Sequence, residues 1–229
     1  FMAQAASRHY NDRVCRVTRP DLLSQVRPSW GYRSGSFSMR SASIVIVGGG
    51  LAGLYAACLL ERQGIHDYLL VEARKSLGGR IAYLATPSYW SAISEVETHD
   101  RFDLGPTWFW PDLQPEFDQL IRDLGLQRFA QFETGDTIIE HAPDQPPVSV
   151  RGYANSPVSM RLMGGMNSLI DALHRKLDPR RLISGLTVRK LCAMEDHVLL
   201  TGADASGQAV SLRAEHVLIA VPPRLAEST

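Results

Sequence analysis

The strongest constraint on the fold lies between Ile44 and Glu72. There an apolar run, three spaced glycines, a helix-forming stretch, a second apolar run and an acid follow in order. Residues 44–47 (IVIV) are all β-branched, as expected of a strand buried on both faces. Gly48, Gly50 and Gly53 stand in G-x-G-x-x-G spacing. Residues 51–60 are rich in Ala and Leu, and Gly64 is placed to end the helix they form. Residues 68–71 (YLLV) make a second strand that terminates in Glu72. The first glycine allows the tight turn, the second lets a pyrophosphate approach the backbone, and the third lets helix and strand pack closely. Free N–H groups and the helix dipole favour an anion at that point. Glu72 lies nineteen residues after Gly53, near the spacing at which a carboxylate accepts bonds from a ribose diol. A glycine triplet alone is weak evidence. The ordered set predicts a dinucleotide site, with Gly48, Gly50, Leu51, Ala52 and Gly53 in the phosphate turn and Glu72 on the ribose.

Other classes fit poorly. Residues 44–60 carry no charge, yet three consecutive glycines interrupt them and they fall short of a membrane-spanning length. The 229 residues, 45% hydrophobic, suffice for one sizeable core or parts of two domains. Formal net charge is zero, which favours neither nucleic acid nor an anionic membrane surface. Cys15, Cys58 and Cys192 are far apart, so no disulfide framework is expected and a reducing, intracellular and cytoplasmic setting fits. Cys58, inside the first helix, is expected to be an inert core thiol. The seven histidines form no metal-type pair, so no metal site is expected. The first forty residues hold seven arginines against two acids, Asp12 and Asp21. That composition is also that of an organelle transit peptide. The preferred expectation is an upstream extension over residues 1–42, outside the fold, with Met39 the natural start.

Downstream, residues 115–124 (PEFDQLIRDL) predict a short amphipathic helix ended by Gly125. Strand-like segments at residues 137–140 and 148–151 flank a PDQPP loop. Residues 165–177 predict another helix, stopped before Pro179. From Leu182 the pattern changes to strands: LISGLTVRKL, HVLLTGA, AVSLRA and HVLIAVPP.

The residues after Glu72 carry a family resemblance. Glu72-Ala73-Arg74, three more residues, then Gly78-Gly79-Arg80 resembles the flavin-containing amine oxidase family (monoamine oxidase and L-amino acid oxidase-like). FDLGPTWFWP, RLMGGMNSLIDAL and LTVRKL with HVLIAVPP resemble later segments of that family, in its order, so the likeness spans about residues 43–223. It implies an α/β fold: a two-dinucleotide-binding, Rossmann-like FAD domain with part of an inserted substrate domain. The expected boundaries are 43–110 for the first part of the FAD domain, 111–160 for the substrate portion and 161–229 for the return. The resemblance implies FAD as cofactor and carries Arg74 over as an adenosine-side contact. Gly78 and Gly79 would let the backbone come close to the cofactor, and Arg80 would supply a charged fork for its phosphates or flavin edge. Gly105, Pro106, Thr107 and Trp108 would run beside the isoalloxazine, and Val188 would meet the adenine. Asp103 is expected to brace the adjacent turn. Trp108, Phe109 and Trp110 are either cavity wall or core. Gly164 and Gly165 would start a helix near the cofactor, or only a helix-start turn.

The implied reaction is oxidation of a small-molecule amine or amino acid to an imine, by hydride transfer to flavin and reoxidation by oxygen. No residue presents itself as catalytic base. The family's pattern continues beyond HVLIAVPP, so the chain is expected to be an incomplete N-terminal portion, inactive alone. Two rivals stand beside this: a carotenoid-desaturase-like or protoporphyrinogen-oxidase-like FAD oxidoreductase, and a non-catalytic flavin-binding fragment.

Overall fold

The computed structural model describes residues 39–85, 101–132, 135–152 and 157–226. Most of the expected extension, with Cys15, lies outside the described residues. The chain divides into two compact units. The first contains the described residues up to Gly79 and those from Arg175 onward; the second is Arg80–His174. The sequence reading placed the crossings at 110/111 and 160/161.

The first unit is built on a six-stranded sheet. Its strands are β1 (Met39–Val47), β2 (Tyr68–Glu72), β9 (Leu182–Ser184), β10 (Thr187–Ala193), β11 (Val198–Ala203) and β12 (Ala209–Ile219). Their order is β10-β11-β12-β1-β2-β9. β12, β1, β2 and β9 run parallel, while β10, β11 and β12 form an antiparallel meander. Val45, Val71, Leu186, Leu200, Leu212 and Ala214 form its buried core, each large aliphatic contributing about 1.5–3 kcal/mol. Helix α1 (Leu51–Arg62) follows β1 and buries Gly53, Leu54, Ala57 and Cys58. Burial pushes the Cys58 thiol up to about 11, as suits an inert core group. Gly64, at φ +73°, closes the helix.

Two strands differ from the sequence expectation. β1 begins at Met39, not Ile44, because Met39–Ala42 pair with Ser211–Ala214 of β12. The fold therefore takes in the last four residues assigned to the extension. AVSLRA and HVLIAVPP, expected as separate strands, are continuous in β12. No breaker separates Ala214 from Glu215, so the strand passes from its antiparallel partner β11 along the whole of β1.

At the C-terminal end of α1, Glu61 gathers several donors. It accepts hydrogen bonds from Tyr68 Oη at 2.8 Å and from the Arg181 guanidinium, and pairs with His66 Nδ1 at 2.8 Å. Burial pushes the Glu61 carboxyl up, but the bonds from Tyr68 and Arg181 together outweigh it and hold the group below the usual carboxylate range. A lowered folded pKa means that the unfolded chain takes up the proton first as pH falls. The contribution is full above the unfolded value and is lost as pH drops through the folded one. Glu61→Gln should therefore lose less thermal stability than wild type between pH 6 and pH 3, followed by circular dichroism. Equal losses would show that Glu61 plays no part in acid unfolding.

The second unit has three two-stranded ribbons. β3 (Tyr83–Ala85) pairs with β4 (Arg101–Asp103), β5 (Arg128–Ala130) with β8 (Met160–Leu162), and β6 (Thr137–Ile139) with β7 (Val148–Val150), all antiparallel. Helix α2 (Pro115–Asp123) starts at its proline, with Glu116 and Asp118 in its first turn and Arg122 in its last. Asp118 is buried and pairs with Arg122; its Oδ1 lies 2.5 Å from Arg128 Nη1, off hydrogen-bond alignment, so that pairing is by charge. Helix α3 (Asn167–His174) is shorter than residues 165–177, because Gly164 and Gly165, both at φ +78°, form the turn before it.

Candidate dinucleotide site

β1 ends at Val47 and the chain turns through Gly48–Gly50 straight into α1. Gly48 N–H donates to the Val71 carbonyl at 2.8 Å, and Ala220 N–H to the Val47 carbonyl at 2.8 Å. Those bonds hold the turn between the ends of β2 and β12. The first helical bond is Leu54 N–H to the Gly50 carbonyl at 3.0 Å. Gly50 caps the helix without a side chain, and no acid occupies the first turn. The N–H groups of Leu51, Ala52 and Gly53 therefore have no acceptor within the helix and carry its positive dipole end. A Cβ on Gly50 would stand at ordinary contact distance, 4.0 Å, from the Gly78 carbonyl oxygen and Gly79 Cα, so this residue lies against the second glycine pair. Gly53 has the opposite reason to be glycine. A Cβ on it would lie 1.9 Å from the Gly48 carbonyl oxygen.

Glu72 is buried at the end of β2. Its Oε2 accepts from Gly49 N–H at 2.7 Å and its Oε1 from Arg74 N–H at 2.8 Å. The carboxylate thus also shapes the glycine turn, a role its spacing did not reveal. Arg74 was expected on the adenosine. Its side chain is exposed, and Nη1 donates to the Gly79 carbonyl at 2.9 Å. Gly78 N–H donates to the Gly49 carbonyl at 2.8 Å and bridges Gly50, so the second glycine pair rests on the first. The first unit thus brings together Gly48, Gly50, Leu51, Ala52, Gly53, Glu72, Arg74 and Gly79. Val188 lies on β10, partly buried against the sheet core that includes Val71 of β2, and Leu186 just before β10 donates its N–H to the Glu72 carbonyl at 3.0 Å.

Three comparisons bear on this arrangement. Residues 46–124 match the model of an NAD(P)-binding Rossmann-like domain. A probable flavin-containing monoamine oxidase A of Dictyostelium discoideum is 30% identical over 139 residues, 59% of this chain and 27% of that protein. Putrescine oxidase structures, including the wild type bound to putrescine, align with a TM-score of 0.66 at 16% identity, covering 83% of this chain and 60% of theirs. These matches point to the flavin-containing amine oxidase family. The flavin-containing amine oxidase fold agrees with the mixed α/β sheet. A carotenoid 3,4-desaturase of Haloarcula japonica is 37% identical over 75 residues, 32% of this chain and 13% of that protein. The chain thus spans about a quarter or less of the curated relatives it matches.

The remaining residues that the amine oxidase resemblance singles out lie in the second unit. Arg80 is exposed. A Cβ on Gly105 would lie 2.2 Å from the Arg80 carbonyl oxygen, so the backbone of its own unit requires glycine there. Pro106 follows, and Thr107 Oγ1 donates to the Gly105 carbonyl at 3.3 Å. Trp108 is exposed, with Nε1 donating to Gln131 Oε1 at 3.1 Å. Phe109 is core, packed edge-on to Phe117 at 5.5 Å, while Trp110 is partly exposed. Asp103 braces the glycine turn before α3, not its own: its Oδ1 accepts from Met166 N–H at 2.8 Å. Arg101, stacked over Tyr83, makes a second tie to that helix through Asp171. Neither tie could be read from spacing, because the partners lie more than sixty residues apart. No helix among the described residues is long and apolar enough to cross a membrane.

Proposed function

We propose that this chain binds FAD and forms the flavin-binding part of an oxidoreductase acting on an amine or amino acid. The observation that carries the reading is the glycine turn with Glu72 behind it. A carboxylate has about four acceptor positions, and two are taken by Gly49 and Arg74 N–H. The others suit a ribose diol, while a 2′-phosphate at the same place would meet like charge. The donors of Leu51, Ala52 and Gly53 suit a pyrophosphate. The family resemblance adds Gly79 and Arg80 for the phosphates or flavin edge, residues 105–108 for the isoalloxazine, and Val188 for the adenine. Bound FAD would supply the hydride acceptor that turns the amine into an imine, with oxygen as the final acceptor. The chain's own residues bind and orient the cofactor.

The desaturase match favours a second reading, an FAD oxidoreductase with another substrate. Purified protein should show a flavin absorbance spectrum; produced together with the downstream portion that the family resemblance implies, it should be bleached anaerobically by amines under the first reading and by none under the second. Uptake of NADP in preference to FAD would overturn both. Arg80→Ala should weaken FAD binding by roughly 10- to 100-fold, from loss of a charge-assisted bond of about 1.5–3 kcal/mol. Unchanged FAD occupancy would remove Arg80 from the site.

A further inference from the structure

Residues 73–79 leave the end of β2 and come back onto the glycine turn, and one side chain spans the excursion. Arg74 is pinned at both backbone ends: its N–H donates to Glu72 Oε1 at 2.8 Å, and its carbonyl accepts from Gly185 N–H at 2.9 Å. From that fixed base its guanidinium reaches five residues ahead to the Gly79 carbonyl at 2.9 Å. Among the described residues that guanidinium pairs with no carboxylate, so the carbonyl is its anchor. What it holds is a tight seat. Gly78 bonds to the Gly49 carbonyl at 2.8 Å, and a Cβ on Gly79, at φ +60°, would stand 3.3 Å from Gly50 Cα. Gly50 is the residue that caps the N-terminus of α1. Leu77 also packs its side chain against Gly49, where a Cβ would lie 2.6 Å from Leu77 Cδ2. A charged donor on the Gly79 carbonyl adds a side-chain bond that spans the loop.

We propose that Arg74 is a positioning residue for the anion cradle. By holding Gly79 it keeps Gly78–Gly79 seated on Gly49–Gly50, and so sets the shape of the turn that receives a nucleoside diphosphate. It does so without contacting the adenosine. This rests on the nucleotide-binding reading above, and it separates the two halves of the ligand: loss of the latch harms the diphosphate and spares the nucleoside.

The test uses the full chain and three probes: FAD, ADP and adenosine. Affinities are measured by calorimetry, or by ligand-observed NMR where binding is weak. Arg74→Ala should weaken ADP and FAD by about 10-fold, the loss of one charge-assisted bond, and leave adenosine within about two-fold. Arg74→Lys, which keeps one donor and the charge, should recover part of the loss. Gly79→Ala, which spreads the seat with the charge intact, should reproduce the selective loss of ADP. Equal losses for adenosine and ADP would overturn the proposal in favour of a direct adenosine contact. A normal Gly79→Ala beside a salt-suppressed Arg74→Ala effect would reduce the role to charge alone. A lower unfolding temperature without selective loss would make it merely structural. A wild-type chain that binds none of the probes overturns the nucleotide reading itself, and this inference with it.

Discussion

Replacing Gly53 by alanine should abolish dinucleotide binding and lower the thermal unfolding midpoint by about 6–12 °C. The added methyl carbon would lie 1.9 Å from the Gly48 carbonyl oxygen and 3.4 Å from Ile46 Cγ2. Both neighbours belong to the turn or the central strand, so no flexible side chain can yield. Overpacking of this kind costs up to about 3 kcal/mol, and each kcal/mol shifts the midpoint by about 2–4 °C in a chain of this size. Relief requires α1 to move off β1, which displaces the N–H groups of Leu51, Ala52 and Gly53 from their common focus. Gly64→Ala is the control. Unlike Gly53, it has a positive φ, but nothing lies within 4 Å of the new carbon, so it should cost only about 1–2 kcal/mol and leave ligand affinity unchanged. Wild-type affinity in Gly53→Ala would show that the helix is not held by this contact.

Glu72→Ala should weaken FAD and ADP binding by roughly 100-fold or more. The substitution strips the acceptors from Gly49 N–H and Arg74 N–H. A buried donor left unsatisfied costs about 1–3 kcal/mol, and the ribose diol loses its carboxylate as well. Because Glu72 shapes the turn in addition to the ribose contact proposed for it, Glu72→Gln should recover little. Its amide oxygen can serve one N–H, but its NH2 group would face the other. Calorimetric titration with ADP checks this directly. A glutamine variant with wild-type affinity would mean that the turn keeps its shape without the second bond.

Local pattern determined a good deal. The apolar strand, the glycine spacing, the Ala- and Leu-rich helix and the acid after the second strand specify β1, α1 and β2, because each rests on neighbours in sequence. Pro115 and Gly125 likewise bracket α2. The start of β1 was hidden, since Met39–Ala42 are strand only by pairing with Ser211–Ala214. The continuity of β12 was hidden for the same reason: one strand serves two partners, and no local signal marks the handover.

Within the site, the sequence by itself determined which residue types stand at the turn and why a nucleotide suits them. Tertiary structure decided what each one touches. Glu72 divides its carboxylate between the turn and Arg74, Arg74 reaches Gly79, and Gly105 is glycine because the Arg80 carbonyl is against it. Asp103 braces a helix start sixty-three positions away. The physical reason is range: propensity and spacing act over one or two turns of chain, whereas a carboxylate's donors and a glycine's steric limits are set by whichever backbone the fold brings alongside.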